Sequence, residues 1–316
     1  MSWFLGFDTS NYTTSVALYH DKTKEVRMQK QLLPVKENTC GLRQSDAVFL
    51  HVKQLEQLTA QLIQGDKISV KAIGVSAYPR TVEGSYMPCF LVGKMVAGVL
   101  SQVMQIPQYS FSHQEGHIAA ALYSTNSLDL MNRSFYAFHV SGGTTELLKV
   151  TGHQTNFEIE LLGKTLDLNA GQAIDRVGVM LGLSFPCGKQ LEQLALKCEE
   201  SIVVSPTLKG LDCCLSGVEN QCKTLYGQRK DPAYIAKYCL LTVQKTIERM
   251  TERVLQLHGK KPLIYAGGVM SNSMIKCAIE KQYNGRFAQP EYSTDNSAGI
   301  AILASLAANQ QNKGNH

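Results

Sequence analysis

No run of 18 consecutive apolar residues occurs anywhere in the chain of 316 residues, so a transmembrane helix is not expected. The opening residues Met1 to Phe7 contain no lysine or arginine and run straight into Asp8, which is not the pattern of a secretory signal. A cytoplasmic protein without membrane contact is the expectation. The nine cysteines (Cys40, Cys89, Cys187, Cys198, Cys213, Cys214, Cys222, Cys239 and Cys277) are odd in number and form no Cys-x-x-Cys pair, so reduced thiols are expected. A large charge excess is also missing. Net charge +5 permits a polyanionic partner without requiring one, and the pairs Arg229-Lys230 and Lys260-Lys261 read as solvated faces.

What is present is an ordinary globular composition, 44% hydrophobic and 18% charged, in a chain long enough for two domains. Its most informative stretch is Ser112-His113-Gln114-Glu115-Gly116-His117. Two histidines four residues apart share one face of a helix, a turn apart, so both rings can reach one point. An isolated pair of this kind is as readily two surface histidines. The second candidate segment, Tyr292-Ser293-Thr294-Asp295-Asn296-Ser297, places a carboxylate at a loop-to-helix junction and favours a metal site. Two imidazoles and a carboxylate form a ligand set for Fe(II) or Zn(II), between which the ligand types do not choose. Glu115 argues against a zincin peptidase, whose general base directly follows the first histidine.

In chain order, Trp3 to Asp8 reads as a strand, Thr9 to Thr14 as a polar turn and Ser15 to Tyr19 as the return strand. The Gly-x-Asp-Thr-Ser turn is similar to the phosphate-holding turn of the actin, sugar kinase and Hsp70 superfamily, and equally fits an ordinary hairpin loop. A helix from about Ser45 places Val48, Val52, Leu55, Leu58 and Leu62 inward, followed by a buried strand at Ala72 to Ala77 and an apolar helix over about 88–105. Phe135 to Val140, the turn Ser141-Gly142-Gly143-Thr144-Thr145 and Glu146 to Val150 make a second hairpin. The repeated hairpin implies a duplication, and hence two lobes with a cleft between them. Adjacent glycines let backbone amides approach a phosphate, although a tight turn would also select them. Asp167 and Asp175 flank the start of another helix as caps or surface charges. Pro232 opens a long helix with Ile235, Cys239, Val243, Ile247, Met250 and Val254 inward, stopped near Gly259. A strand from Pro262 to Ala266 then leads into Gly267-Gly268, whose bare backbone suits a flat base.

These segments, in this order, resemble the tRNA threonylcarbamoyladenosine transferase family (TsaD and the KEOPS catalytic subunit, formerly called O-sialoglycoprotein endopeptidase) across nearly the whole chain. His113-x-Glu115-Gly116-His117 resembles the family's metal motif, Thr294-Asp295-Asn296 its metal-carboxylate segment, and Val140-Ser141-Gly142-Gly143 its phosphate loop. The resemblance implies an α/β, actin-like (ASKHA) two-lobe fold of duplicated RNase H-like units. On that basis residues 1–110 form an N-terminal lobe, with a C-terminal helix over about 298–316 packing back on it. Residues 111–297 form the metal- and nucleotide-binding lobe. One divalent metal, iron or zinc, is expected on His113, His117 and Asp295. An adenine nucleotide, ATP or threonylcarbamoyl-AMP, is expected at Ser141, Gly142, Gly143, Asp175, Gly188 and Asn272.

The reaction implied is transfer of the threonylcarbamoyl group to the adenosine beside the anticodon of ANN-decoding tRNAs. The implied partners are tRNA, a smaller inactive homologue and an ATPase, with a separate enzyme making the adenylate. The chain also departs from the family pattern. Tyr12-Thr13 stands where the family has Asp-Glu, Asp8 where it has Glu, Leu168 and Gln172 where it has a second Asp and a Glu, and Ser216-Gly217-Val218-Glu219 where it has Ser-Gly-Leu-Lys. The pattern suits a diverged paralogue, so a metal- and nucleotide-binding protein without transfer activity, acting as a regulatory or partner protein, stands as the alternative. A metallopeptidase is the third reading.

Overall fold

The computed structural model describes residues 2–10, 12–34, 42–65 and 68–314. Cys40 and the last two positions of the expected C-terminal helix lie outside them. By its internal contacts the chain divides into two units: Met1–Arg133 with Gly152–Phe157 and Glu291–His316, and Ser134–Thr151 with Glu158–Pro290. The histidine helix, assigned above to the second lobe, therefore belongs to the first unit. Asp295 does too.

The elements run in order as β1 (Trp3–Asp8), β2 (Thr13–His20), β3 (Val26–Leu32), α1 (Gln44–Ile63), β4 (Val70–Tyr78), α2 (Phe90–Met104), β5 (Gln108–Ser112) and α3 (His113–Ser124). There follow β6 (Ser134–Val140), β7 (Thr145–Gly152), β8 (Phe157–Lys164), α4 (Ala170–Met180), α5 (Gly188–Ala195), β9 (Leu208–Lys209), β10 (Asp212–Cys213), α6 (Ser216–Gly227) and α7 (Pro232–His258). The chain closes with β11 (Leu263–Ala266), α8 (Ser273–Tyr283), β12 (Arg286–Phe287), α9 (Pro290–Ser293) and α10 (Ala298–Gly314). Among the described residues no helix is long and apolar enough to cross a membrane.

Each unit is built on a five-stranded sheet. In the first the order is β3-β2-β1-β4-β5, and in the second it is β12-β11-β6-β7-β8. The duplication expected from the two hairpins is thus a duplication of topology: an antiparallel hairpin at the sheet's middle, extended by parallel strands (β4 on β1, β11 on β6) that follow helices. The third strand of each hairpin, β3 and β8, was not anticipated. β3 is part-exposed and reads Val-Arg-Met-Gln-Lys-Gln-Leu, a polar edge strand without the apolar run that marks a buried one.

In the first unit both faces of the sheet are covered, which is why every residue of β2 is buried. Leu5, Phe7, Val16 and Leu18 meet Leu55, Leu58 and Leu62 of α1 and Val92 and Ala97 of α2. Phe4, Ala17, Tyr19 and Ala72 meet Ala298, Ala301 and Ile302 of α10, so the C-terminal helix packs on this sheet. One expected core position is corrected: Val52 is 53% exposed, while His51 and Gln54 are buried. Their polar ends are matched by the Thr14 hydroxyl, 2.8 Å from His51 Nδ1 and donating to Gln54 Oε1 at 2.7 Å. In the second unit the α7 stripe is as expected, with Ile235, Cys239, Val243, Ile247, Met250 and Val254 fully buried. Asp231 caps that helix by accepting from the Ala233 amide, ahead of Pro232 in the first turn.

Candidate functional site

The first unit assembles a cluster of three side chains. α3 begins with a capping box: Ser112 Oγ accepts from the Glu115 amide, and Glu115 Oε2 accepts from the Ser112 amide at 2.8 Å. That cap fixes the first turn, and with it the directions of His113 and His117. Asp295 is delivered from the other end of the chain. α10 crosses α3 so closely that a Cβ on Gly299 would lie 1.9 Å from the Gly116 carbonyl oxygen, a contact only glycine permits. Just ahead of it, the Ser15 hydroxyl accepts from the Ser297 amide at 3.0 Å, and the Asn296 amide group donates to the Thr294 carbonyl at 2.7 Å. Asp295 is held between these two anchors.

The donor atoms converge. His117 Nε2 lies 2.9 Å from His113 Nε2 and 3.2 Å from Asp295 Oδ1, and His113 Nε2 lies 3.5 Å from the same oxygen. Donors held ~2.0–2.1 Å from one tetrahedral ion sit about 3.4 Å apart, so these separations fit a single divalent metal. Among the described residues this is the group of His, Cys, Asp and Glu side chains able to hold a metal ion.

A fourth residue explains the orientation. The buried Asp8 carboxylate lies 2.8 Å from His113 Nδ1, and its other oxygen accepts from the Ser10 amide at 2.9 Å. An Nδ1–H donated to Asp8 leaves the Nε2 lone pair facing His117 and Asp295, the tautomer a metal requires. In sequence Asp8 belongs to the Gly-x-Asp-Thr-Ser turn and departs from the family's glutamate, with no sign of a partner on α3. Its pairing joins residues 105 apart in sequence and depends on β1 ending beneath the first turn of α3. Burial alone would lower the His113 pKa, but the charge of Asp8 and the hydrogen bond to Asp295 outweigh it and push it up to about 10. Burial likewise opposes the ionised form of Asp295, yet the two histidines hold it well below the usual carboxylate range. The same negative potential that retains a proton on His113 attracts a cation. Glu115 is committed to the cap and lies about 200° around the helix from His113, so it is not placed as the general base of a peptidase.

The second unit holds the residues expected to contact a nucleotide; Ser141, Gly142 and Gly143 follow β6, and Gly267 and Gly268 follow β11, at the carboxyl ends of two paired parallel strands, where ligands meet open α/β sheets. Gly171 at the start of α4 donates to the Ser141 carbonyl at 3.1 Å. Gly267, at φ +101°, lies so near Val140 that a Cβ would approach its carbonyl oxygen to 2.2 Å. Asp175 of α4 accepts from the Cys187 amide at 2.8 Å, next to Gly188, and its pKa is raised by burial. Asn272 caps α8 by accepting from the Ile275 amide at 3.2 Å. Gly142, Gly143, Gly188 and Gly268 have a different character from Gly267. A Cβ on any of them would meet nothing within 4 Å, and none has positive φ. Neither backbone strain nor packing demands glycine there. The Ser141 hydroxyl accepts from the Gly143 and Thr144 amides and shapes the turn.

Two positions where the resemblance expects an acid serve the fold instead: Leu168 is buried in the core, and Gln172 accepts from the Asn169 amide in a capping box. Glu219, where the resemblance expects a lysine, pairs with Arg176 and Lys223. Asp167 is retained as a local tie, accepting from the Leu168 and Leu215 amides.

Fold and site together define a class: an actin-like α/β protein whose first unit carries a His/His/carboxylate centre and whose second carries a glycine-rich turn at its strand ends. Solved structures share the fold. Component A of (R)-2-hydroxyglutaryl-CoA dehydratase from Acidaminococcus fermentans matches with TM-score 0.57 at 14% identity, over 98% of this chain and 100% of that one. The activator of 2-hydroxyisocaproyl-CoA dehydratase from Clostridium difficile, with bound ADPNP, matches with TM-score 0.57 at 14% identity, over 99% and 97%. Full-length HypF in its phosphate- and nucleotide-bound form matches with TM-score 0.59 at 12% identity, over 98% of this chain and 55% of that one. Residues 35–302 match the family described as TsaD, tRNA N6-adenosine threonylcarbamoyltransferase, and the chain belongs to it, a family of tRNA-modifying transferases.

Proposed function

We propose that the protein transfers the threonylcarbamoyl group from threonylcarbamoyl-AMP to the adenosine next to the anticodon of ANN-decoding tRNAs, in the cytoplasm. The observation that carries the reading is the convergence of His113, His117 and Asp295 with Asp8 fixing the His113 tautomer, in a chain of this family. A divalent iron or zinc ion held by these three side chains supplies Lewis acidity toward a carbonyl or phosphate oxygen. Nucleotide binding falls to Ser141, Gly142 and Gly143 at the phosphates, and to Asp175, Gly188 and Asn272 at the nucleoside. In the reaction the adenine N6 amine bonds to the carbamoyl carbon, the mixed anhydride to AMP breaks, and the amine proton is lost. No protein nucleophile is needed because the acyl group arrives activated, so positioning and charge stabilisation suffice. A smaller inactive homologue and an ATPase are the proposed protein partners.

The second reading, a metal- and nucleotide-binding paralogue without transfer, is favoured by the buried Leu168 and the capping Gln172 in place of acids. One experiment separates the two. Supplied with threonylcarbamoyl-AMP, an ANN-decoding tRNA and the partner proteins, the chain is expected to yield the modified nucleoside, detected by mass spectrometry after digestion. Yield no higher than that of a His113→Ala, His117→Ala double variant, with nucleotide binding intact in the unaltered chain, selects the paralogue.

A further inference from the structure

The first unit contains an open-sided cavity of about 540 Å³, a volume typical of small-molecule sites, that none of the roles above uses. It is built from the edge strand β5 (Tyr109, Ser110, Phe111), the turn Thr155-Asn156-Phe157, the end of α10 (Ala307, Gln310, Gln311), and Tyr78, Thr81 and Glu115. All of these residues belong to the same unit. Glu115 reaches it because it stands about 200° around α3 from His113, so the cavity lies on the other side of the helix from the metal donors.

The lining has one sign. It contains a carboxylate and no lysine, arginine or histidine. Four of its side chains are aromatic: Tyr78, Tyr109, Phe111 and Phe157. Two of the neutral polar groups also offer acceptors. The Tyr109 hydroxyl spends its proton on Gln311 Oε1 at 2.7 Å, and the Gln310 amide donates to Gln154 at 3.0 Å, which leaves the Tyr109 lone pairs and the Gln310 carbonyl oxygen as acceptors. Glu115 is 4% exposed and forms no ion pair among the described residues; only Oε2 is engaged, by Ser112 and Thr81. A nearly buried carboxylate, aromatic walls and surplus acceptors are the features that recognise an organic cation, through charge, cation–π contact and N–H donation. An anion, including a phosphate, has no donor of positive charge here.

We infer that this cavity binds a small organic cation bearing a primary ammonium or guanidinium group, with Glu115 as its counter-ion and the aromatic side chains as its walls. The site is independent of the proposed transfer reaction.

The test uses agmatine, which carries both groups, against butylurea, which keeps a planar polar head without charge, in calorimetric titrations of the full chain. Agmatine is expected to bind at least 10-fold more tightly than butylurea. Glu115→Gln keeps a residue that serves equally at the third position of a capping box, so the helix start and the thermal midpoint are expected to stay close to those of the parent chain. Agmatine affinity is expected to fall at least 10-fold and butylurea affinity to stay unchanged. Phe157→Ala, which removes a wall and leaves the cap alone, is expected to weaken agmatine several-fold. No agmatine binding to the parent chain, equal affinity for butylurea, or equal agmatine affinity in Glu115→Gln overturns the inference. Should Glu115→Gln fail to fold, unchanged affinity in Phe157→Ala overturns it.

Discussion

Substitution of Asp8 by Asn tests the geometry of the metal centre without touching a ligand. The carboxylate serves two partners, His113 Nδ1 at 2.8 Å and the Ser10 amide at 2.9 Å, from a side chain that is 1% exposed. An asparagine of the same shape has one acceptor oxygen and one amide nitrogen. If the oxygen stays on Ser10, the nitrogen faces Nδ1, which then accepts; the ring proton moves to Nε2, into the metal position. If the oxygen faces His113 instead, the Ser10 amide meets a donor and a buried hydrogen bond is lost, at about 1–3 kcal/mol of stability. Loss of a partner that orients a metal-binding histidine lowers affinity about 10- to 100-fold, or about 1.4–2.8 kcal/mol. Titration of zinc against a competing chelator is expected to give that loss, with Asp8→Glu nearer the parent value because it remains a pure acceptor. Unchanged zinc affinity in a folded Asp8→Asn protein refutes the tautomer argument.

Three further outcomes follow from the same structure. In the metal-free chain the raised His113 pKa means the folded state holds a proton that the unfolded state releases near 6.5, so its contribution to stability is full below that pH and is lost as pH rises through about 10; zinc must displace this proton, and zinc affinity measured from pH 6 to 8 is expected to rise about tenfold per unit. Gly142→Val adds a side chain where nothing lies within 4 Å of the Cβ, so the urea midpoint is expected to hold while calorimetric ATP binding is lost; retained binding makes the segment an ordinary turn. Gly267→Ala, by contrast, combines φ +101° with a Cβ 2.2 Å from the Val140 carbonyl oxygen and is expected to lower unfolding free energy by about 3 kcal/mol or more in urea titration.

Features that depend on neighbours along the chain were legible without the fold. The histidine pair was legible because helical periodicity is local, and the α7 stripe because one apolar side at each turn needs only a sheet to cover it. The two hairpins were legible from apolar strands broken by polar or Gly-Gly turns, and the edge strands β3 and β8 were not, because half-exposed edges need no apolar run. Features that depend on register and helix crossing were not legible. Asp295 reaches the histidines because α10 crosses α3 at Gly299, and Asp8 reaches His113 because β1 ends under that helix; neither distance is encoded near the residues concerned. The same holds for α1, where His51 and Gln54 displaced Val52 from the interior once β2 brought Thr14 opposite them. A polar side chain becomes a core residue only when a partner fixed elsewhere in the chain satisfies it, and the partner's position is a property of the folded sheet.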